Sequence, residues 1–276
     1  MDSRFRGNDG LNQRFLREMN VKSENVQRSG KNGIDPREWE TRVQLAALYR
    51  LSAHYGWDEL IYTHISARVP GSAEHFLLNP FGHAFNEVTA SSLIKVDLDG
   101  NAVEPTPHRI HKAGFVIHSA IHAARKDALC VIHHHTEAGM ALSMLKCGLL
   151  PLSQHAQLFH GKVGYHGFEG IANDVDERER LAADLGRNWV LILRNHGMLI
   201  AGRTIPEAFS MCFHLEKACR AQLKAMATGS ELTLPDEEVS RKTAARGYDA
   251  PGEPLGRLEW GSQLRLVERI DPSYRD

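Results

Sequence analysis

Two short apolar runs leave this chain few architectures. Ala128-Leu129-Cys130-Val131-Ile132 and Trp189-Val190-Leu191-Ile192-Leu193 are apolar along their whole length and too short for buried helices. Runs of this kind are strands of a sheet that is covered on both faces. Both lead directly into polar chemistry, the first into His133-His134-His135 and the second into Asn195-His196-Gly197. Other strands are expected over residues 61–69, 76–78 and 93–96, with Asp97-Leu98-Asp99-Gly100 turning the last of them back onto Ala102-Val103.

Helical patterns are interleaved with these strands. Asp35-Pro36 opens one, an N-cap acceptor followed by a residue suited to the first turn. Residues 111–125, 137–146 and 177–187 carry others, and the capping box Thr204-Ile205-Pro206-Glu207 starts a long helix to about Ala227. The mixture predicts an α/β fold: a single three-layer α/β/α domain around a central mixed, largely antiparallel sheet. That domain is expected over residues 34–227. Residues 1–33 read as a disordered tail or an over-long start, with Met19 an alternative beginning. Residues 228–276 read as an extension broken by Gly229, Pro235, Pro251, Gly252 and Pro254, with helical fragments and no second core.

Composition removes several classes of function. The chain's 33 basic and 34 acidic residues leave a formal charge of −1, which argues against duplex DNA or an acidic membrane as a global electrostatic partner. At 42% hydrophobic residues a real core is available, and no apolar run approaches the length of a membrane-spanning helix. Cys130, Cys147, Cys212 and Cys219 are scattered and read as reduced, buried thiols. With no secretory signal pattern, the expected location is cytoplasmic. The 16 histidines invite a metal or a proton-transfer role.

On a strand, residues two apart share a face, so His133 and His135 point together and His134 points away. His196 ends a second strand just before Gly197, where the missing side chain lets something approach the backbone. Three histidines from two strand ends would hold a divalent metal with a coordination position left open, as catalytic sites do. The same residues would also serve as polar strand caps and a tight turn.

Val131-Ile132-His133-His134-His135 and Leu193-Arg194-Asn195-His196-Gly197-Met198-Leu199 resemble the V-V-H-x-H and N-H-G-L-L segments of the class II aldolase/adducin family. That family includes fuculose-phosphate aldolase, ribulose-phosphate 4-epimerase and the adducin head. Leu78-Asn79-Pro80-Phe81-Gly82, Val96-Asp97-Leu98-Asp99-Gly100 and Gly202-Arg203-Thr204 support the resemblance, which covers about residues 36–226. The run Tyr165-His166-Gly167-Phe168-Glu169-Gly170 is closest to the bacterial adducin-like branch. The resemblance implies one divalent metal per subunit on His133, His135 and His196, with zinc first and manganese or iron as alternatives. It also implies a small-molecule substrate and a homotetramer.

The departures matter as much. Where the family's S-S-E-x-x-x-H segment carries an acid/base glutamate, this chain has Gly114 and keeps only the histidine, His118. A glycine moves no proton. His118, one turn further along the same helix face, and Glu169 are the candidate proton carriers; a packed helix histidine and a surface acid are their plainer readings. His155 and His160 are further candidates. His54, His64, His75, His83, His108, His111, His122 and His214 have no motif that gives them a role. The family's phosphate-binding segments become Thr63-His64-Ile65-Ser66 and Asn79-Pro80-Phe81-Gly82, leaving Ser66, Asn79 and Gly82 as candidate substrate contacts. Loss of the paired serines favours a carboxylate substrate over a phosphate monoester. The expected activity is a divalent-metal-dependent, lyase-type one, aldolase or decarboxylase, on a small hydroxy or keto acid or a related carbonyl compound. A non-catalytic, adducin-head-like metal-binding or assembly protein is the alternative.

Overall fold

The computed structural model describes residues 33–170, 176–248, 250–252 and 254–276. Contacts divide the chain into two units, residues 1–40 and 41–276. Of the first unit only residues 33–40 are described, and they include the start of helix α1 (Pro36–Tyr55). There the Arg37 backbone N–H donates to the Asp35 carboxylate at 2.8 Å, the capping role expected of Asp35. Apart from Gly33, the tail expected over residues 1–33 lies outside the described residues.

The second unit is built on seven strands: β1 (His64–Arg68), β2 (Phe76–Leu78), β3 (Ile94–Val96), β4 (Cys130–His134), β5 (Val163–His166), β6 (Val190–Leu193) and β7 (Gly197–Gly202). Their order is β3-β2-β1-β4-β7-β6-β5. Every neighbouring pair is antiparallel except β5 with β6. The two apolar runs lead into β4, the central strand, and β6, two strands away; β4, β6 and β7 are buried at every residue, as strands covered on both faces must be.

Helices α2 (Lys112–Ala124) and α5 (Glu177–Leu185) cover one face. Ile117 and Ile121 from α2 and Leu181 and Leu185 from α5 meet Val131, Leu191 and Leu199 of the sheet. The other face receives α3 (Glu137–Ser143) and the long α6 (Ile205–Ala227). Thr204 caps α6 by accepting from the Glu207 N–H at 3.1 Å. The Glu207 carboxylate reaches back one residue further than a capping box requires, to the Arg203 N–H at 2.7 Å.

Residues beyond 228 belong to the same unit. Helix α4 (Gln154–Gln157) contacts α6 and α7 (Glu237–Ala244), and α8 (Arg257–Ile270) packs on α6. Arg50 pairs with Asp271 at 2.7 Å, and the Ala90 and Ser91 N–H groups donate to the carbonyls of Tyr274 and Asp276. Of the four cysteines, Cys130, Cys212 and Cys219 are buried, but Cys147 is exposed, which corrects the expectation of four buried thiols.

Two local features position the site. First, the strand expected over 61–69 begins only at His64, because Leu60 (φ 53°) and Thr63 (φ 62°) take left-handed backbone and make a tight turn instead. Neither residue is one that favours that region, and such strain concentrates at functional sites. Second, a Cβ at Gly197 would lie 2.5 Å from the His134 carbonyl oxygen. Only glycine lets β7 start that close to β4, so what approaches at Gly197 is the neighbouring strand.

A candidate metal centre

His133, His135 and His196 come together at the ends of β4 and β6, with one ligand atom from each lying within 4.8 Å of the others. His133 is buried, and the other two are half-buried. His134 points to the opposite face, where its Nδ1 lies 3.9 Å from the Glu216 carboxylate. The period-two reading of the H-x-H run therefore describes the geometry.

Their hydrogen bonds fix which nitrogen each ring turns inward. His133 Nδ1 donates to the Met198 carbonyl at 3.0 Å, and His135 Nδ1 donates to the Glu59 carboxylate at 2.7 Å. Both acceptors are oxygens, so each Nδ1 carries the proton and each Nε2 carries a lone pair. Those two Nε2 atoms face each other at 3.0 Å. Two neutral imidazoles would repel in this pose, whereas a shared cation would reconcile them. Burial, then the neighbouring His135, holds the pKa of His133 well below its usual range, and the same causes lower His196 to about 4. The donor set of neutral imidazoles, each backed by an oxygen acceptor where the backing is seen, fits a divalent transition metal.

The triad opens into a cavity of about 410 Å³. Its wall includes Glu59, Tyr62, Thr63, His64, His111, Gly114, Ile117 and Phe168. Glu59 is the only carboxylate among the described residues that line it. Helix α2 forms one side, its N-terminus capped by His111, whose Nδ1 accepts from the Gly114 N–H at 3.3 Å.

The profile of the Class II Aldolase and Adducin N-terminal domain matches residues 43–223. The chain belongs to this family. An aldolase II superfamily protein from Pseudomonas syringae is 51% identical, with a TM-score of 0.83 over 88% of this chain and 98% of that one. The L-fuculose 1-phosphate aldolase of Glaciozyma antarctica is 32% identical, with a TM-score of 0.76 over 87% of this chain and 93% of that one. Rat alpha-adducin is 42% identical over 243 residues, which are 83% of this chain and 33% of the adducin. The three-layer α/β fold is thus that of the class II aldolases.

Other residues singled out in the sequence of this family member stand elsewhere. His118 does lie one turn after Gly114 on the same face of α2, but it is fully buried and is not part of the cavity wall. Its Nδ1 meets the Ser66 hydroxyl at 2.6 Å. Burial, then nearby His122, lowers its pKa to about 3, so its ring is neutral near pH 7 and is no general acid there. Ser66 in turn lies 2.8 Å from His122 Nε2, so its hydroxyl is committed inside the protein and not turned to a substrate. Asn79 is buried and accepts from the Tyr49 hydroxyl at 2.9 Å. Gly82, with φ 102°, is exposed outside the cavity wall. Glu169 is tied to Arg180, which lowers its pKa, and only its neighbours Phe168 and Gly170 line the cavity. His160 pairs with Glu237 at 3.0 Å, and His155 packs beside His214; neither lines the cavity.

Glu59, His64 and His111 are the functional candidates that no sequence motif marked. His64 had a signal in principle: it stands opposite His133 in the β1–β4 register, and directly paired residues share a face. That register is set in three dimensions and is not written in either segment alone.

Proposed function

We propose that this protein is a divalent-metal-dependent lyase, of the aldolase or decarboxylase type, acting on a small hydroxy or keto acid. The observation that supports it is the pair of imidazole lone pairs at 3.0 Å, with both Nδ1 atoms committed to oxygen acceptors. His133, His135 and His196 would hold the ion, zinc first, with manganese or iron as alternatives. When bound, it would supply Lewis-acid charge beside a substrate carbonyl or carboxylate oxygen.

The chain's own residues do the rest. Met198 and Glu59 orient the two ligand rings. Ile117, Tyr62 and Phe168 give the cavity apolar surface against which a small carbon skeleton packs. At Gly114 there is no side chain to take a proton from a hydroxyl, and the one described carboxylate in the wall, Glu59, is engaged with His135. Decarboxylation suits this set better than aldol cleavage. It breaks one carbon–carbon bond, releases CO2 and needs only a proton delivered to the carbon left behind. An assembly role like that of adducin has less support, because an open cavity beside two inward-facing imidazole lone pairs serves no scaffold. By its resemblance to the class II aldolases the protein is expected to be a homotetramer, and light scattering should give four times the chain mass; a monomer would contradict it.

The activity is tested with metal-loaded protein against a panel of hydroxy and keto acids, following CO2 and aldehyde release. Release that a chelator abolishes is the expected result. A panel with no turnover by metal-replete protein would contradict the lyase reading.

A further inference from the structure

We propose that His64 is the substrate-contacting residue that stands in for the side chain Gly114 lacks, its ring N–H donating a hydrogen bond to a carboxylate oxygen of the bound acid. The inference rests on the cavity being a metal-bound hydroxy- or keto-acid site, as proposed above.

Four observations carry it. A Cβ built at Gly114 would lie 2.3 Å from His64 Nδ1 and Cε1, so the His64 ring fills the space where any side chain at 114 would begin. His64 lines the same cavity as the triad and stands opposite His133 across the β1–β4 ladder. The ring is held in place, stacked on His111 with centroids 5.0 Å apart and planes 14° from parallel. Finally, His64 is 4% exposed, yet neither of its ring nitrogens has a hydrogen-bond partner among the described residues. Buried polar atoms in native proteins are nearly always paired, and one left open at a cavity wall marks a place for a ligand.

The chemistry of the ligand follows from the donor. A neutral imidazole always presents one N–H, and its strongest partner is an anionic oxygen. Beside it, Thr63 Oγ1 is also buried without a partner among the described residues, on a residue held at φ 62°. A carboxylate has two oxygens and can take both donors. On this account Gly114 is a specificity-determining position that works by absence: it makes room for the His64 ring.

The test uses zinc-loaded protein and oxalate as the probe, with affinity measured by calorimetry and metal content by elemental analysis. His64→Ala should keep its metal and bind oxalate about tenfold or more weakly, the loss expected for one hydrogen bond to a charged group. Gly114→Ala, which removes no donor, should lose a comparable factor by displacing the ring. In the double variant the Gly114→Ala loss should vanish, since nothing is left to displace. Circular dichroism of each variant separates local effects from unfolding. Oxalate affinity in metal-replete His64→Ala within about twofold of wild type would overturn the inference alone. So would an equal Gly114→Ala loss in both backgrounds. Wild-type protein that holds no metal would overturn the reading beneath it, and the inference with it.

Discussion

At the scale of single residues, the site depends on what each imidazole does with its second nitrogen. His133 gives its Nδ1 proton to a backbone carbonyl, an acceptor that comes with the β4–β7 ladder. His135 gives its own to a side chain, Glu59, which is itself exposed. Glu59 can therefore be removed without opening a hole in the core. Glu59→Ala should change stability by less than about 0.5 kcal/mol while weakening metal binding by about 10- to 100-fold, read by competition against a chelator of known affinity. Unchanged metal affinity would mean that Glu59 does not orient His135. That His133 and His135 share a face was legible in the sequence because alternation along a strand is a local property; His196 was expected beside them from the second strand end and the family resemblance. Glu59 was not, because it reaches His135 through a turn whose left-handed residues, Leu60 and Thr63, are not the glycine or asparagine that would announce it.

At the scale of elements, one contact explains both the candidates that moved inward and the one that emerged. Helix α2 lies along β1 so that its four-residue repeat meets the strand's two-residue repeat. Gly114 faces His64, and His118 and His122 face Ser66. Further along, Arg68 donates to the His122 carbonyl. His122 Nδ1 faces the Ala128 carbonyl at 3.2 Å and must donate to it, so its Nε2 accepts the Ser66 proton. His118 Nδ1 then donates to the Ser66 oxygen. Helical spacing correctly put His118 on the face of Gly114, but it does not say that the face is pressed against a strand. Ser66→Ala should cost about 1–3 kcal/mol, because it strands a buried donor and a buried acceptor. Metal content should be unchanged, measured on the same sample whose urea midpoint gives the stability. A Ser66→Ala protein of normal stability that fails to bind oxalate would restore Ser66 as a substrate contact.

For the whole molecule, the apolar runs predicted a sheet covered on both faces, and the strand order sets β7, which starts right after His196, beside β4, which carries His133. The order itself was not legible, since it depends on long-range pairing. The extension beyond residue 228 was legible only as broken helices. It is attached by the packing of α8 on α6, where Trp260 meets Phe209, and by single polar groups such as the Arg50–Asp271 pair, partners that lie far apart in the sequence. Burying so much histidine has a consequence for stability. His118, His122 and His134 are lowered to about 3, chiefly by burial. The unfolded chain, with histidines near their usual value, binds more protons than the native state between about pH 3 and 6.5. Stability should therefore be fully present above about pH 6.5 and fall as the pH drops, by up to about 1.4 kcal/mol per pH unit for each histidine. Urea midpoints at pH 7.5 and 5.5 check this, and an equal or higher midpoint at pH 5.5 would contradict it.

The claim on which the functional account stands is that His133, His135 and His196 together hold one metal ion. Elemental analysis of protein purified without added chelator, beside His133→Ala and His196→Ala, measures it directly. The account predicts one divalent ion per chain in the wild type and its loss in both folded variants. Substoichiometric metal that His133→Ala leaves unchanged would contradict it.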